Sequence, residues 1–435
     1  MDQHYKQFQT LLPGLLVFTQ PVIKDYGFAL LILITSLVLF IKNNTTAKEF
    51  QRSFNISISL FVMVLLKIVL NNYGYTFDFY VMGAAAAIIT IACPLTQIQL
   101  HYLSNNKNNT FDTYFLTEKT AKPTLLYLFN GTIIASLTCL ILTGNTIEFR
   151  SMLFLSVIGS LTAALLNVIP HTHKDFTTII GTAMAIWLFA NIGYTAEPAQ
   201  LIPAIAISLL LSYAAYKKDV ADISAMIAAT LIGVIIITFT NLLWFAPLIA
   251  FFSIGGGFTK YKYEYKKARG LAEKKGGVRS YTNVFSNSLP AFSLAISYQA
   301  FPAYQDIILI AYLASLSTAL GDTLASEIGQ TSKSQPRMIT TLKKTAAGTD
   351  GGITLAGECA SITGAFIIAM IAAITQLIPF HPTSILVITF AGLLGTNIDS
   401  FLGATLQQKK LLSNNGVNLA STSASAVIIA ICTTL

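Results

Sequence analysis

Long apolar runs separated by short polar segments set the rhythm of this chain. Several runs reach the ~20 residues that an α-helix needs to cross a bilayer. Windows near that length place about fourteen spans, at roughly 26–41, 54–70, 79–100, 124–142, 151–169, 176–191, 200–216, 223–240, 242–258, 284–300, 305–320, 353–376, 383–398 and 419–434. The segment 11–19, broken by Pro13 and Gly14, reads as an interfacial or re-entrant turn. The expected fold is an all-α polytopic membrane protein, with about 14 transmembrane helices in two bundles and polar cytosolic loops. A soft boundary at Gly193–Pro198 divides an N-terminal membrane bundle, 1–198, from a C-terminal membrane domain, 199–435.

Composition sharpens this reading. Of the 435 residues 54% are hydrophobic and 11% are charged, about half the charge of a soluble domain. The net charge of +8 speaks first to topology and anionic lipid, and nucleic acid is not expected as a partner. With the N-terminus outside and alternating spans, 23 of the 27 Lys and Arg residues fall in cytosolic loops. So lopsided a split is what the positive-inside bias predicts. Both termini are then non-cytosolic. The polar start, Met1–Lys6, gives no cleavable signal peptide. Cys93, Cys139, Cys359 and Cys432 all fall in apolar spans, without C-x-x-C spacing, and read as core thiols.

The polar loops of the second half carry the candidate chemistry. The loop at 259–279 holds eight cations, among them Lys260, Lys262, Lys266, Lys267 and Arg279. It reads as an anchor to anionic membrane lipid, and Gly276-Gly277-Val278-Arg279 adds backbone and a guanidinium suited to phosphate. Next come Asp322 and Glu327, where a span meets water. Ionisable groups in an apolar chain are costly at membrane depth and default to a functional hypothesis. On a helix Asp322 and Ser326 share a face, as do Thr323 and Glu327, while Asp322 and Glu327 diverge. Capping by Asp322 of a helix starting there, with Gly321 ending the span before, is the bland alternative. Arg337, Lys343 and Lys344 follow, then Gly348-Thr349-Asp350-Gly351-Gly352, a flexible turn or an anion nest before the next helix. Glu358 lies inside that helix. Finally, Asn397 and Asp399 offer oxygen ligands, with Gly403 on the face of Asp399 leaving room for a ligand; helix capping is again the alternative. Asn418, before the last span, is a candidate cap.

Carboxylates suit a divalent cation, and cations suit phosphate. Asp322, Glu327, Asp350 and Asp399 with Lys and Arg therefore suggest metal-assisted phosphoryl chemistry at a membrane surface. The chain has no G-x-x-x-x-G-K-[ST] loop and no kinase Gly-rich loop set. His4, His101, His171, His173 and His381 form no zinc motif.

Several ordered blocks resemble one family. They are Gly276-Gly277-Val278-Arg279 with Val284–Asn287, Gly321–Gly329, Pro336–Thr341, Gly348–Gly352, Asp399–Gln407 and Val417-Asn418. Over about residues 200–435 the chain resembles the integral-membrane family that includes plant and cyanobacterial phytyl-phosphate kinases and animal transmembrane protein nineteen. Two positions depart from that pattern: Leu324 stands where a Trp is usual, and Glu358 where a small or apolar residue is usual. Residues 164–180 faintly resemble the tail of polyprenol kinases, whose Gly-Asp core is missing from residues 1–200.

The resemblance implies transfer of a phosphoryl group from a nucleoside triphosphate, CTP or ATP, to an isoprenyl monophosphate, giving the diphosphate. Asp322, Glu327, Asp399, Lys343 and Arg337 are then the expected catalytic residues. Asp322, Asp399 and Asn397 are expected to hold Mg²⁺. Arg279, Asn287, Ser326, Lys344, Gly348, Thr349, Gly351 and Gly352 are expected to bind phosphate. Lipid-phosphate cytidylyl transfer and non-enzymatic transport of an anionic lipid are the alternatives.

Overall fold

A computed structural model describes residues 11–42, 48–103, 121–170 and 173–434. The Asn- and Lys-rich stretch 104–120, His4 and His171 lie outside them. The chain divides into two compact units, Met1–Ala199 and Gln200–Leu435. Among the described residues eleven helices are long and apolar enough to cross a membrane. The remaining three expected spans also coincide with helices. Ile223–Phe239 is apolar but only 17 residues long. Lys174–Asn191 and Tyr281–Ala300 are diluted by Thr, Ser and Asn.

The first unit comprises α1 (Gln20–Lys42), α2 (Lys48–Asn72), α3 (Phe79–Ala87), α4 (Cys93–Leu103), α5 (Ala121–Thr143), α6 (Phe149–Val168) and α7 (Lys174–Asn191). Its buried charged side chains are paired internally, as desolvation demands. Arg52, expected in a loop, is buried on α2 with its Nε 3.1 Å from Asp175 Oδ1. Lys67 pairs with Asp25. Asn130 donates to Thr96 Oγ1 at 2.8 Å and Gln99 Oε1 at 2.7 Å.

The second unit comprises α8 (Pro198–Lys217), α9 (Ile223–Phe239), α10 (Leu242–Lys260), the short α11 (Tyr263–Ala268), α12 (Tyr281–Ala300), α13 (Gln305–Gly329), α14 (Leu355–Ile374), α15 (Pro382–Leu402) and α16 (Asn414–Thr434). At its centre α13 and α14 approach closely because their facing residues are small. A Cβ added to Gly364 would stand 3.0 Å from Gly321 Cα, and one added to Gly357 would stand 3.1 Å from the Ala325 carbonyl. Gly321 therefore does not end a span. It lets a neighbouring helix in, and α13 runs unbroken through Asp322 to Gly329. Beyond α13 a hairpin pairs β1 (Arg337–Met338) antiparallel with β2 (Gly352–Ile353), and Thr354 caps α14 by accepting from the Gly357 N–H.

The cysteines differ from expectation. Cys93 and Cys139 are buried, but Cys359 and Cys432 are exposed on the outer faces of α14 and α16. A weakly polar thiol tolerates an apolar surrounding as well as a protein core.

Candidate active site

The unbroken α13 settles the fate of Asp322. It does not cap a helix but projects from the last turns of one, and the i, i+4, i+8 row Asp322, Ser326 and Gln330 lines two adjoining cavities. The helix passes between them. Ala325 and Gly329 face one cavity, which also takes in Gly348–Thr354, Gly357, Glu358, Ser400, Gly403 and Gln407. Thr323 and Glu327 face the other, with Thr259, Arg279, Asn287 and Asn418. Asp399 and Asn414 line both. Asp322 and Asp399, 77 residues apart in sequence, are thus brought to one place from α13 and α15. Asp399 Oδ2 accepts a hydrogen bond from Ser421 Oγ at 2.9 Å. No Lys, Arg or His lies within ion-pair distance of either carboxylate among the described residues.

The glycine-rich loop reaches this site by an unusually close approach. Gly348 and Gly351 adopt φ of +81° and +79°, the left-handed region that favours glycine. A Cβ on Gly351 would stand 2.6 Å from the Ala404 backbone nitrogen. Gly403 is small for the same contact: its added Cβ would meet Gly351 N at 3.1 Å. Gly403 therefore makes room for the loop, and it also lines the cavity beside Asp399. Gln408 Nε2 fastens the loop by donating to the Asp350 carbonyl at 2.9 Å. After α15 the backbone widens into a π-turn at Gly403–Gln407, a distortion frequent at functional sites.

Other expected residues lie elsewhere or are already engaged. Arg337, Lys343 and Lys344 are exposed on the hairpin and line neither cavity. Arg337 donates to the Leu342 carbonyl at 2.9 Å, because the hairpin turns its edge to solvent. Asn397 lines neither cavity; its amide nitrogen donates to Glu358 Oε2 at 3.1 Å, so it braces a cavity-lining acid instead of standing beside Asp399. Glu327 is buried and ion-paired with Lys266. Asn397, Asp399 and Asn418 all lie within helices, so none is a cap. Asn287 does face the second cavity, and its Oδ1 accepts from Asn418 Nδ2 at 3.4 Å.

Among the described residues, Arg279 is the cation that lines the site. Its backbone is fixed by bonds to Val220 and Asp222, each 2.9 Å. Its guanidinium sits 5.6 Å from the Phe251 ring centre and donates to Thr259 Oγ1 at 3.4 Å. Burial pushes it below its ordinary pKa, with Glu273 and Glu327 pulling the other way. No carboxylate lies within ion-pair distance of it among the described residues. A largely desolvated guanidinium without a counter-ion is a receptor for an anion.

The family model for the integral membrane protein DUF92 matches residues 206–426, half of the chain. The chain belongs to the DUF92 integral membrane family. The DUF92 region holds every candidate residue from Arg279 to Asn418 and leaves the first unit outside. An uncharacterised membrane protein of Methanocaldococcus jannaschii is 31% identical over 230 residues, 53% of this chain and 92% of that protein. Protein PGR of Arabidopsis thaliana is 33% identical over 234 residues, 49% of this chain and 81% of that one. The chloroplastic protein VTE6 of Arabidopsis thaliana is 29% identical over 212 residues, 47% of this chain and 63% of that one. No solved structure matches the chain.

Three residues of the DUF92 region take part in the site without having stood out in the sequence. Lys266 looks like any cation of its loop, yet it is buried and reaches Glu327 as well as the Thr259 carbonyl, 2.9 Å away. Gln330 extends the Asp322 row by one turn, which the helical period signals once α13 is known to continue. Ser421 orients Asp399 from a helix that no local pattern links to it.

Proposed function

We propose that the second unit is a membrane-embedded isoprenyl-phosphate kinase, transferring a phosphoryl group from a nucleoside triphosphate, CTP or ATP, to an isoprenyl monophosphate. The observation that carries this reading is the pair Asp322 and Asp399, facing one polar space from separate helices without a cation of their own, beside the unpaired Arg279. The resemblance of the motif blocks to those of phytyl-phosphate kinases favours phosphoryl transfer over transport.

The residues fit a magnesium nucleotide. Among the described residues no group of three or more His, Cys, Asp or Glu could cage a metal alone. Mg²⁺ bound through one or two carboxylates plus substrate phosphates needs no such cage. Asp322 and Asp399 would hold it, and when bound it neutralises charge on the nucleotide phosphates. The chain does the rest. Ser421 holds Asp399 in orientation, Gly348–Gly352 present backbone to phosphate oxygens, and Arg279 binds the lipid phosphate. An oxygen of the lipid monophosphate attacks the terminal phosphorus, the bond to the bridging oxygen breaks, and nucleoside diphosphate leaves. The acceptor is already anionic, so no general base is needed. Glu327 acts by holding Lys266. Arg337, Lys343 and Lys344 stand as surface cations on the side of the polar loops, which we place in the cytosol with both termini opposite. The exposed cations of the 259–279 loop would meet anionic headgroups there.

Incubation of the purified protein with isoprenyl monophosphates and each labelled nucleoside triphosphate tests the reading. Formation of the lipid diphosphate supports it, and a nucleotidyl lipid identifies a cytidylyltransferase instead. Lipid movement without nucleotide consumption identifies a transporter.

A further inference from the structure

A third cavity lies beside the two polar ones, between α8, α9 and α10. Its volume is 380 Å³, within the ~300–1,000 Å³ range of small-molecule sites. Its lining is graded. Lys218, Lys260 and Arg279 stand at one end, and apolar residues such as Ala229, Leu248 and Phe245 line the length beyond. Among the described residues no Asp or Glu lines it. The stretch of α10 that borders it, from Phe245 to Lys260, is about 22 Å long at 1.5 Å per residue. Its flank is open, because the lining residues Leu211, Ser253 and Gly257 are also exposed on the outer surface. On a helix long and apolar enough to span a membrane, that opening faces the bilayer. Among the described residues one lines both this chamber and the Asp322–Asp399 space, namely Arg279.

A long apolar chamber, cationic at one end and open sideways to lipid, is complementary to an anionic amphiphile with a hydrocarbon tail. We propose that this chamber holds the isoprenyl tail of the lipid monophosphate, which enters from the bilayer between α8 and α10, and that Arg279 is the junction that keeps its phosphate facing Asp322 and Asp399. This inference rests on the kinase reading for the identity of the headgroup reaction, but not for the chamber. The tail is selected by the length and width of the chamber, and the headgroup by Arg279.

The test is equilibrium binding of labelled geranylgeranyl monophosphate to the full chain in detergent, for the natural protein, Gly257→Phe and Ala229→Phe. A Cβ on Gly257 meets nothing within 4 Å, so that side chain enters the chamber without colliding at its root. Each variant is expected to weaken lipid binding by about tenfold or more and to leave nucleotide binding unchanged. Binding equal to the natural protein's in a folded Gly257→Phe variant overturns the proposal, as does a natural protein that binds no isoprenyl monophosphate. Nucleotide turnover on the same samples separates this from the kinase reading. Lost lipid binding in the variants of a protein that transfers no phosphoryl group leaves the chamber standing and removes the kinase. Unchanged binding, with turnover that Asp322→Asn abolishes, does the reverse.

Discussion

Lys266 on the short α11 and Glu327 near the end of α13 form a buried ion pair. The pair decides what the basic loop is for, because one of its cations is a structural bolt and not a lipid anchor. Removing one partner of a buried pair leaves the other charge uncompensated, at a cost of about 3–5 kcal/mol. Lys266→Ala or Glu327→Gln is therefore expected to lower the thermal unfolding temperature in detergent markedly. Lys262→Ala, which removes an exposed cation, is expected to leave it unchanged. A stability of Lys266→Ala equal to that of Lys262→Ala would show that the pair contributes nothing.

The glycine loop gives a prediction about backbone. Gly351→Ala places a Cβ at φ +79° against the Ala404 backbone. The left-handed conformation alone costs about 1–2 kcal/mol, and the collision must also move the loop from the cavity. Turnover is expected to fall far more than stability. Gly257→Ala, with open space at its Cβ and helical backbone, is expected to be neutral or slightly stabilising. Comparison of activity and unfolding temperature across the two variants checks this.

The cations divide by geometry. Arg279→Gln is expected to reduce turnover by about a hundredfold, the scale of losing one charge-stabilising donor. Arg337→Ala, Lys343→Ala and Lys344→Ala, singly, are expected to change it by less than about threefold, since exposed charges act weakly through solvent. A hundredfold loss in any of the three would bring the hairpin over the cavity during turnover.

Much of this was legible in the sequence, and the reasons differ by residue. The helical period placed Asp322 with Ser326 and separated Glu327 from them, and α13 obeys it. The continuation of α13 past Gly321 was not legible, because a glycine that ends a helix and one that admits a neighbouring helix look alike in isolation. Ser361 and Gly364 of α14 and Thr396 of α15, close against it, tell them apart. Lys266 was hidden for a related reason: five cations crowd α11 and its flanks, and only the position of Glu327 distinguishes one. Arg337, Lys343 and Lys344 were drawn toward the site by sequence proximity, whereas the hairpin carries them outward.

The central claim is that Asp322 and Asp399 jointly hold a magnesium nucleotide for transfer to a lipid phosphate. The most direct measurement is Mg²⁺-dependent formation of lipid diphosphate by the purified natural protein, Asp322→Asn and Asp399→Asn, with folding followed in detergent. The account predicts turnover by the natural protein that chelation abolishes, and a loss of about a hundredfold or more in each folded variant. Full, metal-independent turnover in either variant would contradict it.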